Sequence, residues 1–141
     1  MPYREKTAWL SLIAMVVTYV PYFAIVVSGF YRNEAMPGMH QLSLLAAASI
    51  ARLILLGVGY LLLMGITDKA DRTPPDERDQ AIVRRSMSSA YYVLISGMIY
   101  VGCFMPFTYR GWIIVQNAIF MIVVAEIVRV SVIAVSYRRQ A

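Results

Sequence analysis

Residues 8–30 carry no charged side chain, and at 1.5 Å per helical residue such a run is roughly 34 Å long, enough to cross the hydrocarbon core of a bilayer. Lipid offers the backbone no hydrogen-bond partners, so a run of this kind has to satisfy its own peptide groups as a helix. Further apolar runs follow at residues 39–67, 86–104 and 112–135. With 60% hydrophobic and 15% charged residues, a chain of 141 has more apolar surface than a water-soluble domain of that length can hide. The expected fold is therefore an all-α integral membrane protein. It is a single membrane domain over residues 1–141, with four transmembrane helices at about 8–30, 39–67, 75–105 and 112–137 and a polar loop at about 68–79.

The punctuation between the runs fits this count. Arg4 and Lys6 precede the first run as in a signal peptide, but the run is too long for a signal h-region and no clear small-x-small cleavage site follows, so it is expected to stay attached. Pro21 should bend that helix and free a carbonyl, for which the Thr18 hydroxyl is a local donor. Arg32, Asn33, Glu34 and Pro37-Gly38 mark a reversal. In the polar loop Thr73 is placed to N-cap the third helix with Pro74 in its first turn, and Asp76, Glu77 and Asp79 sit where the helix dipole favours anions. This helix begins in water, enters the membrane after Arg84 and Arg85, and is expected to end at Pro106.

Orientation follows from the cations. Of the 13 Lys and Arg, Arg52 and Arg129 lie inside spans and Arg32 and Arg110 fall on one side, while all the others fall on the opposite side. The positive-inside rule then puts both termini and the 68–79 loop in the cytoplasm. Tyr31, Tyr109 and Trp112 would form an outer aromatic belt, with Trp9 and Tyr137 in the inner one. A net charge of +5 and a pI near 9.6 do not point to nucleic acid, because the basic residues cluster at the ends of apolar runs; anionic lipid headgroups are the expected counter-charge.

Shifted by about 77 positions, the second and fourth spans look alike. Ala48-Ser49-Ile50-Ala51-Arg52 lies over Ala125-Glu126-Ile127-Val128-Arg129, and Tyr60 over Tyr137. Two readings stand: two repeated helical hairpins related by an axis along the membrane normal, or chance similarity between apolar helices. The segment Asp76-Glu77-Arg78-Asp79, with Ile82, Arg85 and Ala90-Tyr91-Tyr92-Val93-Leu94 after it, resembles the D-E-R-[DE] segment that opens the third helix in a family of small uncharacterised prokaryotic four-span membrane proteins. The resemblance covers about 20 residues and implies the four-span architecture and a prokaryotic inner-membrane setting. That family has no established activity, so no site residue is carried over from it.

Charges within the bilayer are the most informative side chains, since each costs about 2.5 to 3.5 kcal/mol on insertion scales and normally faces a partner or a cavity. Arg52 and Glu126 both lie roughly 20 Å from the outer ends of their helices, so they are expected to pair. Arg129 stands nearer the inner surface, within snorkelling reach. A packing lock is the plainer role for Arg52 and Glu126; a proton- or substrate-coupled carboxylate is the functional alternative. Small residues, among them Ser86, Ser89, Ala90, Ser96, Gly97 and Cys103 on the third helix and Ala47, Ala48, Ala51, Gly57 and Gly59 on the second, suit close helix approach. A substrate-lining role for Ser96 or Tyr100 is the alternative there. Met36, Met39 and His40 at one outer turn, with Cys103 and Met105 at the other, have the soft donor chemistry of Cu(I), although Met is also an ordinary filler of apolar space.

Much chemistry is set aside. Cys103 is the one cysteine, which excludes an intrachain disulfide, and His40 is the one histidine, so a bis-histidine haem would need two chains. The two lysines, Lys6 and Lys69, both lie outside the spans, so none is placed for a retinal Schiff base, and the sequence has no glycine-rich phosphate loop, His-Glu-x-x-His helix or paired catalytic carboxylates. The expected function is non-enzymatic and needs no cofactor: an inner-membrane accessory, regulatory or immunity-type protein acting through helix and loop contacts with a protein partner or a second copy. Its docking segment would be Asp76, Glu77, Arg78, Asp79, Arg84 and Arg85. The alternative is a small homodimeric exporter or channel with Glu126 as the coupling carboxylate.

Overall fold

The computed structural model describes residues 3–29, 39–66, 76–109 and 111–139. These form α1 (Tyr3–Val27), α2 (Met39–Ile66), α3 (Glu77–Thr108) and α4 (Trp112–Arg138), with no strand among the described residues. All four are long and apolar enough to cross a membrane, and the chain is an all-α four-helix bundle. The expected reversal around Arg32 to Gly38, and Thr73 and Pro74, lie outside the described residues.

Helix α1 packs on α2 and α4, and α4 packs on α1 and α3, so α2 and α3 form the flanks. Met15, Tyr19 and Tyr22, at helical spacing on one face of α1, meet Val123 of α4; Leu44, Leu45 and Ala48 of α2 close over the same cluster. Helix α4 buries Val123, Val130 and Ala134 on one side and Ala125 on another, as a helix between two neighbours must. On α2 no residue is buried at all. Two glycines set the closest approaches: a Cβ on Gly59 would come within 2.6 Å of the Leu10 side chain, and one on Gly97 within 2.6 Å of that of Met121.

Local chemistry shifts several helix ends from their expected positions. Helix α1 starts at Tyr3, five residues ahead of the charge-free run, and carries Glu5 only 1% exposed. Charge marks where lipid begins, which is not where the helix begins. The helix continues through Pro21, but the Thr18 hydroxyl donates to Ala14 O at 2.8 Å, one turn short of the carbonyl that a proline at 21 releases, so Thr18 does not have the role expected of it. Helix α3 is capped by Asp76: Glu77 N–H donates to Asp76 Oδ1 at 2.7 Å, and Asp76 N–H to Asp79 Oδ2 at 3.1 Å, a reciprocal box. Pro106 does not end α3. Tyr100–Phe104 forms a π-helical turn in which Met105 N–H donates to Tyr100 O, and this wider turn just ahead of the proline lets the helix run on to Thr108.

Candidate functional site

Polar side chains join the helices at three levels. In the middle, Glu126 of α4 accepts from Arg129 Nε at 2.8 Å and Arg129 Nη2 at 2.5 Å, while Arg52 Nη2 of α2 stands 3.8 Å from Glu126 Oε1. Arg52 and Glu126 are thus brought together as expected, but Arg129 is the carboxylate's bidentate partner. The expectation that Arg129 would snorkel to the surface is corrected. It stands one turn after Glu126 on the same face, and turning back to the carboxylate neutralises both charges where the dielectric is low. The Arg52 guanidinium also lies over the Tyr19 ring, 5.8 Å from its centroid. The three charged side chains are 23 to 32% exposed and line a cavity of about 540 Å³ that reaches from Met15 on α1 to Met87 and Tyr91 on α3. By helix rise, Glu126 lies roughly 21 Å along α4 and Arg52 roughly 20 Å along α2, close to the midpoints of both.

A second level lies towards the C-terminal end of α1. The Tyr22 hydroxyl donates to Gln116 Oε1 at 2.7 Å, and Gln116 Nε2 donates to Gln41 Oε1 at 2.9 Å, tying α1, α4 and α2. Tyr22 and Gln116 are 2% and 7% exposed. Sequence reading passed over this chain because its members are uncharged; the available signal was a glutamine in each of two apolar runs.

The third level is at the opposite end, where Asp79 is the hub. Its carboxylate takes Arg4 Nη1 at 2.6 Å and the Tyr137 hydroxyl at 2.8 Å, besides the Asp76 cap, and so joins the starts of α1 and α3 to the end of α4. Asp79 precedes Arg84 and Arg85 and lies outside the apolar 86–104 stretch. Partial burial alone would push its carboxyl up, but the bonds from Tyr137 and the Asp76 backbone, with the Arg4 charge, hold it below its ordinary value. One expectation changes here: Asp79 faces inward to other helices while Asp76, Glu77, Arg78, Arg84 and Arg85 stay exposed.

The remaining candidates are scattered. Met36 lies outside the described residues, Met39 and His40 are exposed on α2, Cys103 is exposed on α3, and Met105 is buried. Among the described residues no group of three or more His, Cys, Asp or Glu is placed to hold a metal ion. Of the small residues on α3, Ser86 and Gly97 face the bundle, whereas Ser96 and Cys103 face outward. A Cβ on Gly59 would run into Leu10, while one on Gly57 would meet nothing within 4 Å. The Ser96 hydroxyl bonds back to Tyr92 O at 2.8 Å, and Tyr100 is half exposed in the π turn, so neither lines the central cavity. No protein-family model, curated protein or solved structure shows significant similarity to this chain.

Proposed function

We propose that this chain is a multi-pass protein of a prokaryotic inner membrane, with both termini and the 68–79 loop in the cytoplasm, that acts by contact as an accessory, regulatory or immunity-type subunit and catalyses no reaction. The observation that carries this reading is α2, which has no buried residue and presents Leu53, Leu61 and Leu62, each at least 61% exposed, away from the bundle. A helix held on one side by packing and polar ties, and free along the rest of its length, suits contact with another membrane helix or a second copy. At the cytoplasmic end Glu77, Arg78, Arg84 and Arg85 supply an exposed charged surface for a soluble partner or anionic headgroups.

Glu126 bears on the choice between this reading and the exporter or channel. The cavity beside it favours transport, whereas its bidentate engagement by Arg129 with Arg52 close by favours a fastener, since a coupling carboxylate must release its partners to take a proton. A photocrosslinking side chain at Leu61 is expected to give a discrete protein adduct in native membranes. In proteoliposomes the wild type is expected to leave an imposed proton gradient intact; dissipation that Glu126→Gln abolishes would overturn the contact reading. For orientation, Asp71→Cys in a Cys103→Ser background should resist an impermeant thiol reagent on intact cells and Glu34→Cys should react, and the reverse pattern would invert the topology.

A further inference from the structure

Charge at the centre of the bundle does not balance. Two guanidiniums face one carboxylate, and both oxygens of that carboxylate are taken by Arg129. Arg52 is the surplus cation: its Nη2 is 3.8 Å from Glu126, beyond hydrogen-bond distance, and its buried Nε has no partner among the described residues. A guanidinium carries five N–H donors, and the face of Tyr19 stabilises the charge without accepting those bonds in the plane of the group. At mid-membrane depth a cation in this state calls for a further anion.

We propose that the cavity beside Arg52 binds an amphiphile with one carboxylate and an apolar body, the carboxylate lying against Arg52 and the body against Met15, Met87, Leu94 and Ile122. Those four side chains line the same cavity, and about 540 Å³ is within the usual size of a small-molecule pocket. The planar fork of arginine matches a carboxylate. Depth favours a single-chain acid over a phospholipid, because the phosphate of a bilayer lipid lies outside a hydrocarbon core about 30 Å thick, whereas Arg52 is near the midpoint of α2. An inorganic anion would leave the apolar walls without an occupant. The site goes beyond the contact reading and does not depend on it, since binding here requires neither flux nor a protein partner.

Decanoate is a suitable probe, with the full chain in phosphatidylcholine nanodiscs and binding read by native mass spectrometry. One decanoate per chain is expected, with decanol binding at least tenfold more weakly. Arg52→Leu removes the 3.8 Å contact to Glu126 and the ring contact to Tyr19 but leaves the Glu126–Arg129 pair in place, so it should fold, and it should weaken decanoate at least tenfold. Ala90→Leu keeps Arg52 and fills part of the cavity wall, and it should also weaken binding while leaving the thermal transition in place. The proposal is overturned if decanol binds as well as decanoate, if folded Arg52→Leu binds like wild type, or if phosphatidylglycerol added to the disc displaces decanoate, which would assign Arg52 to a phospholipid headgroup. It is equally overturned if the chain is a dimer that takes up no decanoate, since a second copy would then cover the groove.

Discussion

Helices α2 and α4 look interchangeable as sequence, both long, apolar and carrying an arginine near the middle, yet they occupy opposite positions in the bundle. Helix α4 is wedged between α1 and α3 and holds buried residues on two sides; α2 rests on α1 and buries none. What separates them is the acid. Glu126 gives α4 a polar partner for its own Arg129 one turn away, so the pair is neutral before any other helix docks. Arg52 has Ser49 where α4 has Glu126, and so depends on a longer contact with a neighbouring helix. In lipid, where apolar surface gives no preference for one neighbour over another, local neutralisation of charge and close packing decide which helix is central.

Removal of Glu126 should do the most damage. Glu126→Leu strands two guanidiniums in low dielectric and is expected to cost about 3 to 5 kcal/mol, read as a lowered thermal transition in detergent, and the double variant with Arg129→Leu should recover much of the loss. No recovery would mean that Arg52, not Arg129, is the partner that matters. Packing comes next. Gly97→Ala forces a methyl against the Sδ, Cγ and Cβ of Met121 and should cost about 1 to 3 kcal/mol. Gly59→Ala brings a methyl to 2.6 Å from both Leu10 Cδ atoms and 3.1 Å from its Cγ, atoms that can swing away by rotation about the Cα–Cβ bond, and should cost less, while Gly57→Ala, whose methyl meets nothing within 4 Å, should not destabilise. An equal cost at Gly59 and Gly97 would remove the packing difference between the α2 and α4 sides.

The smallest expected effect is at the end of the bundle and depends on pH. Because the folded Asp79 carboxyl lies below its ordinary value, its contribution is complete above the unfolded value near about 4 and disappears as pH falls through the folded one. The stability gap between wild type and Asp79→Asn should therefore hold constant from neutral pH to about 5 and close under stronger acid. A gap that persists there would show that the Arg4 and Tyr137 contacts do not depend on the ionised carboxylate.

What could be read from the sequence was whatever lipid dictates. Long apolar runs gave the count of four helices. Ends governed by other physics were displaced: Tyr3 because a helix outlasts the membrane edge, Asp76 because its box with Asp79 caps α3, and Thr108 because a π turn absorbs Pro106. At the central site the charged residues could be named but not their pairing, because reach along one helix and reach between two look alike until side-chain direction is known. Tyr22, Gln41 and Gln116 carry no charge to mark them, and nothing local shows that Asp79, on another helix, faces Tyr137.

The claim that α4 neutralises itself while Arg52 is surplus is tested most directly by the thermal stabilities of Arg52→Leu and Arg129→Leu, measured side by side in one detergent. The account predicts a loss of under about 1 kcal/mol for Arg52→Leu, which leaves the Glu126–Arg129 pair intact, and a loss of about 3 kcal/mol or more for Arg129→Leu, which leaves the carboxylate with a single guanidinium 3.8 Å away. Equal losses, or the larger loss at Arg52, would contradict it.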